Sequence, residues 1–342
     1  MKRKTISFTA PRQVELCEES LPALGADDVL VETVCSSISA GTEMLVYRGQ
    51  FPHLKDSHDQ FSSDLNYPLS YGYACVGRIK ETGIHVDKSF LDQLVFAFHP
   101  HATHFVSRLD SLLLAPASLP AEACSFLPNM ETAVNLIQDA APILGERALV
   151  LGQGVVGLLV ASLLKEFPLE ELVTSDRFAI RRKTSLEIGV QDSFDPELFN
   201  SLENSTKSDL KNYSAYAQNF DLAFELTGSP SALDDAIAMS AFTGRIIIGS
   251  WYGEKKSLID LGSTFHRSRI KMISSKVSTI APELSGRWDK QRRFEVAWEA
   301  LKRIQPQKWI THRFPIEEAG KAYKLLDENP QETIQVLFEY KS

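Results

Sequence analysis

The stretch Ala148-Leu-Val-Leu-Gly152-Gln-Gly154-Val-Val-Gly157 constrains the fold of this chain more than any other. Four apolar or small residues in a row suit a strand buried on both faces of a parallel sheet. The glycines that follow have the spacing G-x-G-x-x-G, and Leu158-Leu-Val-Ala continues as a helix. Bare backbone at such a turn lets a pyrophosphate approach N–H groups at a helix N-terminus. Alone this spacing is a weak signal. A second apolar run, Leu172-Val-Thr-Ser, strengthens it by ending in Asp176, nineteen residues after Gly157. A carboxylate there can accept hydrogen bonds from both hydroxyls of an adenosine ribose. Gly152, Gly154, Val155, Val156 and Gly157 are the expected pyrophosphate border, with Asp176 and Arg177 at the ribose.

Asp176 also favours NAD over NADP, because a carboxylate at the ribose repels a 2′-phosphate. Arg177 follows directly and Arg181 and Arg182 lie one helical turn on, so NADP remains open as the second choice. The net charge of −8 does not favour a nucleic-acid or anionic-membrane partner. No apolar run reaches bilayer length, and the basic opening Met1-Lys-Arg-Lys leads into a strand-like segment rather than a signal-peptide core. Cys17, Cys35, Cys75 and Cys124 are scattered, with no C-x-x-C pair, as in a reducing compartment. The expected location is the cytoplasm.

At 342 residues the chain has room for about two domains. Up to about residue 120 it reads as β-rich: Val29–Val34, Cys75–Ile79 and Leu94–Phe98 are short β-branched or aromatic runs between polar turns. From about residue 123 strands and helices alternate, which implies a doubly wound parallel sheet. Its later strands are expected at Asp221–Leu226, Gly244–Gly249 and Arg269–Ile273. A helix is expected from Pro230, with Ser229 as its cap. Residues 198–218 are polar and read as a surface excursion. The ending gives a strand near Ile310, an amphipathic helix carrying Ala319, Ala322, Leu325 and Leu326, and a final strand over Ile334–Tyr340.

A β-rich front, a central nucleotide-binding unit and a strand–helix–strand tail together resemble the medium-chain dehydrogenase/reductase superfamily. Besides the glycine turn, the resemblance rests on Ser39-Ala-Gly-Thr-Glu-Met-Leu-Val-Tyr-Arg-Gly, Tyr67-Pro-Leu-Ser-Tyr-Gly-Tyr-Ala-Cys-Val-Gly and Thr311-His-Arg-Phe-Pro-Ile-Glu-Glu-Ala. It implies an α/β chain with a GroES-like catalytic domain over residues 1–122, completed by 306–342. The inserted Rossmann domain would cover 123–305, with the substrate in the cleft between the two, and the whole would be a homodimer. Zinc members carry a C-G-T-D ligand motif, where this chain has Ala40-Gly41-Thr42-Glu43. Their G-H-E motif is matched by Gly72-Tyr73-Ala74, and their third ligand falls near Leu127-Pro128. The cysteine-rich lobe for a structural zinc is missing. Alanine, tyrosine and proline cannot build a tetrahedral zinc site, so neither a catalytic nor a structural zinc is expected. A relocated metal at His99, His101 and His104 is the alternative, since a strand would turn His99 and His101 to one face.

Within the superfamily, Ser39-Ala-Gly-Thr-Glu, Phe98-His-Pro-His and Gly249-Ser-Trp-Tyr-Gly resemble the bacteriochlorophyllide a dehydrogenases. That implies NAD-linked oxidation of a hydroxyethyl side chain on a tetrapyrrole. Without zinc, hydrogen-bonding side chains must manage the hydroxyl proton. Thr42 matches the family's proton-relay residue, while Tyr73 either enters the space vacated by a metal ligand or only fills it. His99 and His101 match a pocket-lining segment, and a histidine near its usual pKa is a natural proton acceptor. Glu43 is a weaker candidate that would orient Thr42 or Arg48. Glu131 is either catalytic or the start of a helix. Thr132, Thr227, Gly249 and Ser250 are expected to line the cofactor, Trp251 and Tyr252 to wall a flat substrate or a dimer surface, and His266–Arg269 to hold an anion or lie solvated. The expected function is a zinc-independent, NAD-dependent interconversion of a secondary alcohol and a ketone, both small molecules. Two rivals stand beside it: an NADPH-dependent quinone or enoyl reductase, and a non-catalytic NADH-binding sensor or partner protein.

Overall fold

The computed structural model describes residues 2–51, 66–197, 217 and 219–340. Two compact units are present, one built from the chain up to Pro128 together with the segment from Leu301, the other from Asn129–Ala300.

The first unit begins with a hairpin of β1 (Lys2–Ala10) and β2 (Gln13–Ser20), followed by β3 (Asp28–Ser37), α1 (Thr42–Tyr47), β4 (Cys75–Thr82), β5 (Leu94–Ala97), β6 (His104–Arg108) and β7 (Leu113–Leu114). Helices α2 (Ala121–Cys124) and α3 (Leu127–Ala140) lead out of it. The second unit adds β8 (Arg147–Leu151), α4 (Val155–Leu164), β9 (Glu171–Ser175), α5 (Ala179–Ile188), β10 (Asp192–Phe194), β11 (Phe220–Glu225), α6 (Ala232–Met239), β12 (Ser240–Ile248), β13 (Lys271–Ser274) and α7 (Lys290–Ile304). The chain then returns to the first unit through β14 (Ile310–Pro315), α8 (Ala319–Glu328) and β15 (Gln335–Glu339).

Strand β3 organises the first unit. It pairs antiparallel with β4 from Val29 to Ser36 and with β6 over its first half, Asp28 to Glu32, and its last residues pair with β15, as Leu337 with Ser37 and Glu339 with Cys35. The tail is therefore part of the main seven-stranded sheet. Helix α8 packs beside α1: Tyr323 stacks on Tyr47 at 5.5 Å and meets Phe8 edge-on at 5.1 Å, within a core that includes Ile38, Met44, Val336 and Phe338. This packing carries Tyr323 to the start of α1, where the site chemistry lies.

In the second unit the glycine-turn strand is central, as its apolar run requires. The sheet order β10-β9-β8-β11-β12-β13 is all parallel. In sequence rank this is 3-2-1-4-5-6, the dinucleotide-binding order, with its crossover point at the C-terminal ends of β8 and β11. The expected α/β class and doubly wound sheet are present. Three local expectations differ. Helix α6 starts at Ala232 with Ser231 as its cap residue, so Pro230 and Ser229 stand outside it. Strand β13 starts at Lys271, because Arg269 has φ +53, which no strand residue adopts. Residues 99–103 form an irregular loop rather than a strand, so the alternation expected for His99 and His101 does not apply. The polar excursion 198–218 lies, except for Ala217, outside the described residues.

A buried cation ties this unit together. Arg293 on α7 is fully buried, and its Nε and Nη2 donate to Glu131 Oε1 at 3.1 and 2.8 Å. It also donates to Asn135 Oδ1 at 2.5 Å and to the carbonyls of Thr279 and Val277. Glu131 is thus an ion-pair partner on α3, shared with Lys290 at 2.8 Å. Truncating one member of such a pair strands the other charge in a dry interior. Glu131→Ala should cost about 3–5 kcal/mol of unfolding free energy in urea; a loss under about 1 kcal/mol would mean that water already reaches Arg293.

Candidate active site

Two sets of side chains, one in each unit, carry recognisable chemistry. In the second unit the glycine turn is shaped by contact. Gly152 has φ +91, and a Cβ there would lie 2.7 Å from the Leu226 carbonyl and 2.8 Å from Thr227 N. A Cβ on Gly157 would stand 1.9 Å from the Gly152 carbonyl oxygen, so the helix can close on the turn only with glycine. Gly154 is different: nothing lies within 4 Å of its missing Cβ, and it gives α4 no side-chain cap. The first-turn N–H groups that begin with Val155 and Val156 thus keep their capacity for an anion.

Asp176, at the end of β9, is buried. Its Oδ2 accepts from Gln153 N at 2.7 Å and its Oδ1 from Phe178 N at 2.8 Å, which fixes the acid against the glycine turn. Arg182 is committed elsewhere, donating to the carbonyls of Asp176 and Arg177 and to Asp195 at 2.7–2.8 Å. Arg181 lies 3.8 Å from Asp176 and over the Phe178 ring, with the exposed Arg177 against the same ring. A glycine cradle, an uncapped helix start and an acid beside them fit a dinucleotide.

Sequence reasoning missed Glu225 as an organiser of the neighbouring loops. Fully buried at the end of β11, it accepts from Thr227 N at 2.8 Å and from the Thr227 hydroxyl and the Tyr252 phenol at 2.5 Å each. Ser250 Oγ accepts from Gly228 N at 2.9 Å, joining the same two loops. Gly249 lies so close to Leu226 and Leu136 that a Cβ would approach within 2.5 and 2.7 Å of their methyl groups. Tyr252 is therefore a brace for Glu225, whereas Trp251 is exposed. Thr132 is half-buried on α3. His266, Arg267 and Arg269 are exposed.

The first unit gathers hydroxyl groups. The Tyr73 phenol donates to Ser39 Oγ at 2.5 Å and has the Thr42 hydroxyl as a second partner. Burial pushes the Tyr73 phenol above its ordinary pKa, and the bonds to Ser39 and Thr42 offset only part of that rise. Beneath this cluster, Glu43 is fully buried and fully bonded. Its Oε1 accepts from Ser39 N at 2.8 Å, while its Oε2 accepts from the Tyr323 phenol at 2.6 Å and faces His101 Nε2 at 3.0 Å. His101 Nδ1 faces Ser36 Oγ at 2.7 Å, and that oxygen in turn bonds the Tyr340 phenol at 2.7 Å. Glu43 thus does not reach Arg48, which pairs with Asp327 instead.

The three histidines go three ways. His101 is buried with both nitrogens taken. His99 stacks on Phe105 at 4.2 Å, with Nδ1 2.7 Å from the Pro100 carbonyl. Burial pushes its pKa down to about 4, far from the near-neutral value expected of a proton acceptor. His104 lies on β6 with Nε2 3.8 Å from Glu32. Among the described residues no three His, Cys, Asp or Glu side chains converge as a metal site would. At the positions that the resemblance pairs with zinc ligands, Ala40 and Pro128 offer no donor side chain, and the Tyr73 phenol is engaged with Ser39 and Thr42.

No family profile matches the chain. It is similar to the L-threonine 3-dehydrogenase of Xanthomonas euvesicatoria, with 22% identity covering 93% of this chain and 94% of the relative. Among solved structures, the alcohol dehydrogenase RspB of Escherichia coli CFT073 in complex with NADH superimposes with a TM-score of 0.75 at 18% identity, covering 99% of each chain. A protein of Sinorhizobium meliloti 1021 described as a zinc-binding dehydrogenase, bound to NADP, does so with a TM-score of 0.76 at 16% identity, again over 99% of each.

The depressed His99 pKa makes a testable statement about stability. An unfolded histidine takes up its proton near pH 6.5 and the folded one only near pH 4. Between those values the unfolded state binds more protons, so stability falls as the pH drops. His99→Gln should flatten the pH dependence of urea unfolding in that window; an unchanged slope would show that His99 is solvated in the folded protein.

Proposed function

We propose that this chain, which has the fold of the medium-chain dehydrogenase/reductase superfamily, is an oxidoreductase that interconverts a secondary alcohol and a ketone with NAD and without zinc. The observation that carries the reading is the hydroxyl cluster of Tyr73, Ser39 and Thr42, in which Tyr73 matches a metal-ligand position, and Thr42 the relay position, of the zinc dehydrogenases that the chain resembles. A bound nicotinamide would supply the hydride acceptor or donor. Gly152, Gly154, Val155, Val156 and Gly157 would hold its pyrophosphate and Asp176 its ribose, with Thr132, Thr227, Gly249 and Ser250 bordering the rest.

The chain's own part is the proton. A phenol whose pKa is raised by burial stays protonated at neutral pH, so Tyr73 acts there as the acid. In ketone reduction it donates to the developing alkoxide, and Thr42 and Ser39 can pass it a replacement, since each hydroxyl both donates and accepts. Alcohol oxidation runs the same route backwards and needs an acceptor that the raised phenol pKa disfavours. Reduction is therefore the easier direction near neutrality, and oxidation gains with rising pH. NAD is preferred in this reading because the buried Asp176 carboxylate would meet the ribose, although Arg177 and Arg181 would tolerate a phosphate nearby. A hydroxyethyl tetrapyrrole is one secondary alcohol to include among substrates. The unpaired cysteines, three of them buried, suit the cytoplasm.

The test is turnover by metal-free protein on secondary alcohols and ketones with each nicotinamide. Tyr73→Phe and Thr42→Val should lower kcat by about 10²–10⁴ while NADH binding, read by fluorescence, is unchanged. Asp176→Ala should weaken NAD more than NADP. Full activity in Tyr73→Phe would remove the phenol from the mechanism. Turnover only on quinones or enones with NADPH would replace the reading with a reductase of that class, and tight NADH binding without turnover would replace it with a sensor.

A further inference from the structure

The Tyr73–Ser39 hydrogen bond has two ends, and one carboxyl group governs both. Glu43 Oε1 takes the Ser39 backbone N–H at 2.8 Å, which fixes the residue whose hydroxyl receives the phenol. Glu43 Oε2 faces His101 Nε2 at 3.0 Å, and the imidazole is pinned on its far side by Ser36 at 2.7 Å. Gly72, the residue before Tyr73, lies directly on that imidazole. With φ +122, a Cβ on Gly72 would stand 2.6 Å from His101 Cδ2 and 2.7 Å from Nε2. The ring is thus the floor under the backbone that aims Tyr73. Glu43 also follows Thr42 directly in α1, so the same group sits below the third hydroxyl of the cluster. His101 itself is fully buried with both nitrogens engaged, and cannot meet a substrate.

We propose that Glu43 and His101 are a positioning pair that sets the Tyr73–Ser39–Thr42 hydroxyl geometry, and that His101 is neither the acid nor the base of the reaction. The inference rests on the functional reading above. The required directionality is self-consistent. His101 Nε2–H and the Tyr323 phenol donate to Glu43, the Ser36 hydroxyl donates to His101 Nδ1, and Tyr340 donates to Ser36. Both nitrogens of His101 and both oxygens of Glu43 are then engaged within this network, so the pair has no spare proton to exchange with a ligand.

The experiment combines NMR of full-length protein carrying isotope-labelled tyrosine rings with kinetics on whichever alcohol or ketone turns over. Tyr73→Phe assigns the Tyr73 resonance. Glu43→Gln and His101→Gln should both move that resonance, and should lower kcat by about 10²-fold, the scale of an ångström-level misplacement, with KM for NAD nearly unchanged. A Tyr73 resonance that stays put in either variant that retains its fold overturns the proposal, whatever happens to turnover. So does a kcat loss in His101→Gln that imidazole added to the assay restores, because that would make the ring a proton carrier. If the wild-type protein turns over nothing, a Tyr73 resonance that moves in both variants still upholds the positioning pair, and the functional reading alone fails. Where one variant does not fold, the other decides, since each removes one side of the same contact.

Discussion

A carboxyl group removed from water must be matched by donors at nearly every lone pair, or the fold loses several kcal/mol. Glu43 meets that demand with three donors drawn from parts of the chain far apart in sequence: Ser39, His101 and Tyr323. The requirement works as a constraint on assembly. The loop before α1, the irregular segment between β5 and β6, and α8 of the tail must all be in place before Glu43 is satisfied. Tail and front are joined a second time by the pairing of β15 with β3. The hydroxyl cluster above Glu43 is therefore precise only when the whole first unit has closed.

The second unit uses buried acids in the same way, each at a different joint. Asp176 binds the glycine turn to the end of β9, Glu225 binds the loops that follow β11 and β12, and Glu131 with Arg293 binds α3 to α7 and to the segment around Val277. A parallel sheet delivers its strand ends to one edge but leaves the loops there to find their own shape. Acids at strand ends, bonded to loop N–H and hydroxyl groups, supply that shape without needing a ligand first. Tyr252 illustrates the cost: its phenol is spent on Glu225 and is no longer free to meet a substrate.

The parts of this structure legible in the sequence are those governed by local rules. The strand–turn–helix at Gly152–Gly157 follows from steric demands within a few residues, and the Gly157 contact with the Gly152 carbonyl shows why alanine would not serve. The alternation of β and α segments gave the sheet class for similar reasons. What escaped was non-local. From the sequence Glu43 reads as a residue that would orient Thr42 or Arg48, because nothing in the sequence announces that residues 101 and 323 come to it. The histidine cluster misled in the opposite direction: three imidazoles within six positions read as one site. The chain around Pro100 is irregular, however, and sends each ring to a separate environment. Ser39 was visible within its motif but had no assigned role. A serine four residues before an acid that opens a helix was the available signal, since the acid can reach back to the serine's own backbone N–H.

On the proposed metal-free reading, hydroxyl groups in place of a metal change which direction of the chemistry is easy. Zinc holds an alkoxide by charge and so lowers the barrier to losing the alcohol proton. A buried phenol has no such charge to offer; burial raises its pKa and keeps its proton on. It is a poor receiver and a competent donor, and its strength lies in placement. That shifts the burden from the electrostatics of an ion to the accuracy of a few hydrogen bonds, whose effect on rate depends steeply on geometry. A buried, fully bonded acid under the cluster is the kind of support such a site needs: it cannot rearrange without exposing an unsatisfied group, so the hydroxyls above it inherit its rigidity.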